Sequence, residues 1–325
     1  MAHTKYEVLF KKESVWGTGV DPSGTLASEY LGLTQNASYS IENSNNTGTP
    51  AHGGVPTHIG QGPATVSGRV DFLYNTGLPF AIMLGAVTAT TPVEESAPYK
   101  WTITPTADAI PFTANYFADG TNDLIVQLLG CYAKSLSFDL SVTSPAKGTF
   151  EFIGKDYDKD APFTAITTFS PDDAASIIAQ DLTIDVGALK SISYITDINF
   201  KIQRNVKMGH GIGSNVPNVV NIGKFEPITG NIIAWVEDSA TAAELEELVT
   251  GGDSLGAITA QDIVITRGTE DAADNIIITI DDAMFDSVEL SFPLDGGYAY
   301  KIPFTAKAVS SVVWEAPITV AAGLW

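Results

Sequence analysis

Few side chains in this 325-residue chain have the types and spacing that chemistry requires. Its four histidines are His3, His52, His58 and His210. His52 and His58 share one segment and could both reach a metal. A site needs three or four placed ligands, however, and no acidic or thiol partner stands at a suitable spacing. Cys131 is the single cysteine, so neither an intrachain disulfide nor a thiolate zinc cage can form. Its setting, LLGCYAKSL, predicts an ordinary buried thiol. Asp156-Tyr-Asp-Lys-Asp160 opens like a calcium loop, yet the turn glycine of the sixth position is Ala161 and the bidentate acid of the twelfth is Thr167. It reads as a solvated acidic linker. The carboxylate pairs Asp172-Asp173 and Asp281-Asp282 read as turn residues. No Walker loop, dinucleotide fingerprint, GxSxG or HExxH occurs. The expectation is a protein that is not an enzyme and holds no cofactor or metal.

What stands out instead is a pair of Gly- and Pro-rich stretches and the elements that frame them. Ile41 to Phe72 reads IENSNNTGTPAHGGVPTHIGQGPATVSGRVDF, two strand-like runs joined by a segment too rich in Gly and Pro to build its own core. Phe200 to Ala234 repeats the design. These predict two hairpins with long loops, about Asn43–Pro63 and Asn205–Lys224. Loops of that length in a compact domain usually bind something or order on assembly.

VSGRVDF of the first stretch aligns with ITGNIIA of the second, Gly68 on Gly230, at a displacement of 162. Further on, LIVQ falls on IIIT (Leu124 on Ile276), SLSFDL on SVELSF (Ser135 on Ser287) and TFEFIGK on KIPFTAK (Thr149 on Lys301), all at a displacement of 152. A net loss of ten residues in the second copy, supplied near Ala86–Tyr99 of the first, reconciles the two values. The chain therefore reads as a duplication. An N-terminal arm spans 1–35, a first domain 36–160, a linker and leading strand 161–192, a second domain 193–308 and a tail 309–325. Trp16, in ESVWGTG, is a bulky anchor on a flexible mount, either for packing on another molecule or for docking on its own domain. The tail, which ends on Trp325, is expected to dock on its own domain or a neighbour.

Each copy follows its hairpin with a helix. In the first, Pro79 suits the first helical position, Phe80, Met83 and Leu84 form a stripe, and Gly85 ends it. In the second, Thr241 with Glu244 reads as a capping box, Leu245, Leu248 and Val249 form the stripe, and Gly251 closes it. The acidic residues of this second helix are expected near its N-terminal end. Strand signals follow at Tyr99–Pro105, Phe112–Phe117, Asn122–Leu129, Ser135–Val142 and Gly148–Ile153. In the second copy they fall at Asp262–Thr266, Asn275–Ile280, Ser287–Phe292 and Ala299–Thr305.

Net charge is −21, from 38 acidic against 17 basic residues. Such a surface repels nucleic acid rather than gripping it; it serves solubility, or it coats something polyanionic that must pass without sticking. MAHTKYEVLF lacks a hydrophobic stretch and a cleavage site, so leader-driven secretion is not expected. Small sheets also have edges, and no run of Lys or edge prolines blunts them here. If the edges are used, strands of one domain continue into the next, and a duplicated chain closes into a ring by repeating one contact within and between chains.

ESVWGTG, VSGRVDF before a short helix, and LGCYAKSLSFDLSVTSPAKGTFEFIGKD followed by APFT resemble the major tail tube proteins of tailed bacterial and archaeal viruses, from about Tyr6 to Lys307. The resemblance implies a mainly β fold. It consists of two tandem antiparallel β-sandwich or half-barrel domains, each with one short helix and a long hairpin loop. It implies a structural subunit that polymerises into stacked rings forming the conduit for viral DNA ejection, located in the virion tail tube and made in the host cytoplasm. In the family the hairpin loops stack ring on ring. That role would fall to Asn43, Gly48, Gly53, Gly54, His58 and Gly62 in the first loop, and to Asn205, Gly209, Gly211, Gly213 and Asn218 in the second. The partners implied are further copies of the chain, a tape measure in the lumen, a tail terminator, distal tail proteins, and DNA that passes without specific binding past a negative lumen. Many tube proteins carry one such domain and form hexameric rings. Two domains point to a trimer with pseudo-sixfold symmetry; a hexamer with the second domain decorating the outside is the other arrangement. The alternative function is a tail-associated or cell-surface β-sandwich that recognises carbohydrate. Against it, Phe225 at the edge of the second loop is the one aromatic residue in either loop.

Overall fold

The computed structural model describes residues 6–21, 29–48, 58–90, 99–118, 123–159, 176–187, 195–212, 214–236, 239–251, 258–268, 275–291 and 298–316. The chain is mainly β. Its strands are β1 (Tyr6–Lys12), β2 (Leu33–Gly48), β3 (His58–Leu73), β4 (Gly85–Thr90), β5 (Tyr99–Pro105), β6 (Phe112–Ala118), β7 (Asp123–Ser141), β8 (Ser144–Gly154) and β9 (Asp156–Asp158). They continue with β10 (Leu182–Val186), β11 (Ile195–Gly209), β12 (Val219–Phe225), β13 (Ile228–Val236), β14 (Gln261–Arg267), β15 (Ile276–Phe285), β16 (Glu289–Ser291), β17 (Tyr298–Ala306) and β18 (Ala308–Ala316). Helix α1 (Leu78–Leu84) follows β3 and α2 (Ser239–Thr250) follows β13. Every strand pairing described is antiparallel.

An inner layer runs in the order β2-β3-β8-β7-β11-β13-β17-β16. Outer layers are β1-β6-β7-β9 and β10-β14-β15-β18-β5-β4. Strand β7 belongs to both layers. It pairs with β9 up to Leu129 and with β6 up to Cys131, bends at Gly130 with φ 60°, and pairs with β8 from Tyr132. Strand β15 makes the same crossing at Asp282, φ 51°. Gly130 and Asp282 stand at the displacement of 152 read from the sequence.

The pairing registers repeat at the same displacement. Leu128↔Tyr157 and Leu129↔Asp156 recur as Ile280↔Val309 and Asp281↔Ala308. Ala133↔Phe152 recurs as Phe285↔Phe304. Gly68↔Phe152 recurs as Gly230↔Phe304, the glycine strand at its own displacement of 162 and the facing strand at 152. The glycines of VSGRVDF and ITGNIIA are there because the facing ring occupies their side-chain space. A Cβ on Gly68 would stand 2.2 Å from Phe152 Cζ, and one on Gly230 2.5 Å from Phe304 Cζ. The hairpin β4–β5 supplies the extra length of the first copy and lies against β18.

Alternation puts apolar residues between the layers. Phe10 of β1 meets Phe112, Phe150 and Phe152 edge to face at 5.6, 5.7 and 5.8 Å, joining outer to inner layer. Each such ring contributes roughly 1.5–3 kcal/mol by burial. Every residue of α1 is buried, which fits its uniformly apolar sequence. Leu245 and Leu248 bury the stripe of α2.

Several expectations need correction. Tyr6–Lys12, read as part of an arm, is β1 and pairs with β6 of its own chain. Val8 and Phe10 alternate into the core, which the flanking charges concealed. Asn122–Leu129 and Ser135–Val142 are one strand, because Gly130 bends the ladder instead of ending it. Asp156–Asp158, read as linker, is β9. Thr241 lies inside α2, so it does not cap it, and the first turn of that helix carries no acid. Ala308–Ala316 of the tail is β18, paired with both β15 and β5. Residues 161–175, 188–192 and 317–325 of the linker and tail lie outside the described residues.

Candidate assembly interface

The two Gly- and Pro-rich stretches are mostly ladder, not loop. Asn43 pairs with Ala64, Asn46 with Gly60, Thr47 with Ile59 and Gly48 with His58. Gly62 and Pro63 form a bulge opposite Ser44, whose hydroxyl donates to the Pro63 carbonyl at 3.2 Å. A bulge tolerates a residue without an N–H. In the second stretch Val206, Lys207, Met208 and Gly209 pair with Ile222, Asn221, Val220 and Val219, and Asn205 sits at a bulge facing Gly223. The expected loops shrink to tips because backbone hydrogen bonding needs no apolar side chain. At the second tip Asn218 N–H donates to the Gly209 carbonyl at 3.0 Å, and Ser214 N–H to the Gly211 carbonyl at 3.1 Å. His52, Gly53, Gly54 and Gly213 lie outside the described residues.

Strands β2 and β11 run parallel across the inner layer, so both hairpins project from the same end of it. The second leans back over the end of β8 to reach β3. Ala64 N–H donates to the Asn215 carbonyl at 2.9 Å, and His210 Nε2 lies 2.9 Å from the Ala64 carbonyl oxygen. No residue pattern foretells that Asn215 and His210 meet Ala64.

Where the two halves join, β7 and β11 form a ladder from Ser135↔Gln203 to Ser141↔Asp197. Phe138 stacks on Phe200 at its centre, 5.2 Å apart and 21° from parallel. Strand β2 holds the position in the first half that β11 holds in the second, Tyr39 opposite Gly68 as Phe200 is opposite Gly230. Among the described residues β2 has a ladder partner on one side only, β3, and β16 only β17. Phe200 is 2% exposed and Tyr39 37%. The edge strand β2 is held from behind by Tyr116 of the outer layer. Its hydroxyl donates to the Ser38 carbonyl at 3.0 Å, its ring meets Tyr39 at 5.3 Å, and burial pushes its phenol pKa up.

Trp16 docks on its own chain. Its indole N–H donates to the Gly130 carbonyl at 3.0 Å, and the Lys155 ammonium lies 4.6 Å over its ring. Glu13, which sequence reasoning passed over, takes the other side of the same residue. It is 2% exposed and accepts from Gly130 N–H (2.8 Å), Gly17 N–H (2.7 Å) and the Thr113 hydroxyl (2.8 Å). ESVWGTG is thus a clamp on the point where β7 changes layers. The signal available was a Glu three residues before Trp in a short motif.

The solvent face of the inner layer is polar, and its charges oppose one another. Arg69 faces Glu151, Asp139 faces Lys147 and Glu289 faces Lys301 across adjacent strands. Arg69 also forms an ion pair with Asp71 on its own strand at 3.0 Å. Burial pushes the Asp71 carboxyl up, but hydrogen bonds from Thr149 and Arg69, the Arg69 charge and a bond from Asn36 outweigh it, leaving its pKa lowered.

A mainly antiparallel chain whose inner sheet is open at both edges among the described residues fits a structural, self-associating subunit. Residues 7–306 match the family model for phage tail tube proteins, and the chain belongs to that family. It is a structural, non-enzymatic component of the virion, located in the tail, where it assembles with copies of itself and with other tail proteins. No curated protein matches the chain.

Proposed function

We propose that this chain polymerises into stacked rings that form the conduit through which viral DNA is ejected, with three chains per ring. In this reading 36–160 and 193–308 are two copies of one tube module, and each ring is pseudo-sixfold. The observation that carries it is the β7–β11 ladder, which makes one continuous inner layer from both halves. That continuity favours a trimer over a hexamer whose second domain sits outside the ring, since such a domain would not share the inner sheet. The solvent face of this layer lines the lumen. Three of its cations, Arg69, Lys147 and Lys301, stand opposite carboxylates, which leaves DNA phosphates fewer free partners as they pass. Local pairing and the chain's net charge of −21 together keep the wall passive. The two hairpins, including Asn43, Gly48, His58, Gly62, Asn205, Gly209, Gly211 and Asn218, form the rim that contacts the next ring. A tape measure fills the lumen before ejection, and terminator and distal tail proteins close the ends.

Electron microscopy of the purified protein tests this. Hollow tubes with a ring repeat and three chains per ring are the expected result. A stable monomer at high concentration, or rings of six chains, would overturn it.

A further inference from the structure

The ladder inside the chain specifies the ladder between chains. Resting on the ring reading above, we propose that β16 of one chain pairs antiparallel with β2 of a second copy, in the register that sets Glu289 opposite Ser40.

The register follows from two displacements. Strand β7 maps onto β15–β16 at 152, because Ser137↔Thr149 recurs as Glu289↔Lys301. Strand β11 maps onto β2 at 161, because Phe200↔Gly230 recurs as Tyr39↔Gly68. Within the chain Ser137 pairs with Lys201 and Leu136 with Ile202. Carried through both displacements, these become Glu289 with Ser40 and Val288 with Ile41 of the second copy. Phe138↔Phe200 becomes Leu290 opposite Tyr39.

Side-chain facing, which took no part in that arithmetic, agrees with it. Val288 and Ile41 are both partly buried and both packed against the core. Glu289 is exposed, and Ser40 pairs with exposed Ser67 on the solvent face. A slip of one residue would put Glu289 beside Ile41 and reverse every facing. The burial left incomplete also matches. Leu136 and Ile202 are 1% and 2% exposed where the junction is made inside the chain. Val288 and Ile41, their counterparts, remain partly buried only.

The test mixes full-length chains carrying Glu289→Cys with chains carrying Ser40→Cys, under mild oxidation after assembly. Native Cys131 is buried and does not compete. A heterodimer band is expected on non-reducing gels, with at least about tenfold less from Glu289→Cys paired with Ser38→Cys, whose diagonal separation of roughly 7–8 Å is too long for a disulfide. The double variant should give covalent trimers. Assembled tubes that cross-link equally well at 289–38, or not at 289–40, would overturn this register while leaving the ring reading intact. Wild-type protein that forms no tubes would overturn both. If the cysteine variants do not assemble, hydrogen exchange on wild-type tubes decides it. Amides in 36–42 and 287–291 should slow by about tenfold or more on assembly, a local stabilisation, and unchanged rates would overturn the proposal.

Discussion

Phe200→Ala and Tyr39→Ala alter equivalent positions of the two halves and should behave in opposite ways. Phe200 is 2% exposed and stacked on Phe138, so its loss empties a site already sealed inside the chain. Phe→Ala in such a place costs about 3–5 kcal/mol. With an m-value of about 3 kcal/mol/M, that lowers the urea midpoint of the unassembled chain by roughly 1–1.7 M. Tyr39 is 37% exposed and keeps one edge contact, to Tyr116 at 5.3 Å. A contact of that kind is worth about 0.5–1.5 kcal/mol, so the midpoint should fall by roughly 0.2–0.5 M. The ranking reverses on assembly, where Tyr39→Ala should lower the tube fraction measured by sedimentation and electron microscopy. Equal midpoint shifts in the unassembled chain, or normal tubes from Tyr39→Ala, would refute the equivalence of the two positions.

Gly68→Ala and Gly230→Ala should each lower stability by about 1–3 kcal/mol, read by calorimetry, because the facing rings occupy the added methyl's space. Gly230→Ala should be the worse, since its Cβ would also stand 2.3 Å from the Asn199 backbone oxygen, which cannot swing aside. Glu13→Gln replaces an acceptor of three hydrogen bonds by a group that is half donor, and should cost about 2–3 kcal/mol in urea unfolding. Asp71 has a folded pKa below its unfolded one. Its stabilisation is therefore complete above about pH 4 and is lost as pH falls through the folded value. Asp71→Asn should flatten the acid limb of a stability-versus-pH curve below about pH 4, leaving the rest of the curve parallel to wild type.

The duplicated order of elements was legible because glycines packed under rings, and strands that alternate over SLSFDL, leave matched blocks at fixed spacing. Strands β1 and β9 were not, since lysines and aspartates interrupt their alternation and backbone partners from distant segments decide them. The hairpin arms were misread for a related reason. Asn, Gly and Thr carry little strand preference of their own, and only the facing strand reveals the ladder. Chemistry was easier to exclude than the interface was to find. An open sheet edge has no residue signature, and Tyr39 becomes conspicuous only beside its buried counterpart Phe200.

Cys131 follows directly on the residue where β7 changes layers, and its thiol is fully enclosed, with burial and the nearby Glu13 carboxylate both pushing its pKa up. A reagent can reach that sulfur only after the outer strands have parted from β7. The chain thus carries its own clock. The rate of labelling at this one atom, compared between free subunits and finished particles, measures how far polymerisation slows the breathing of the wall.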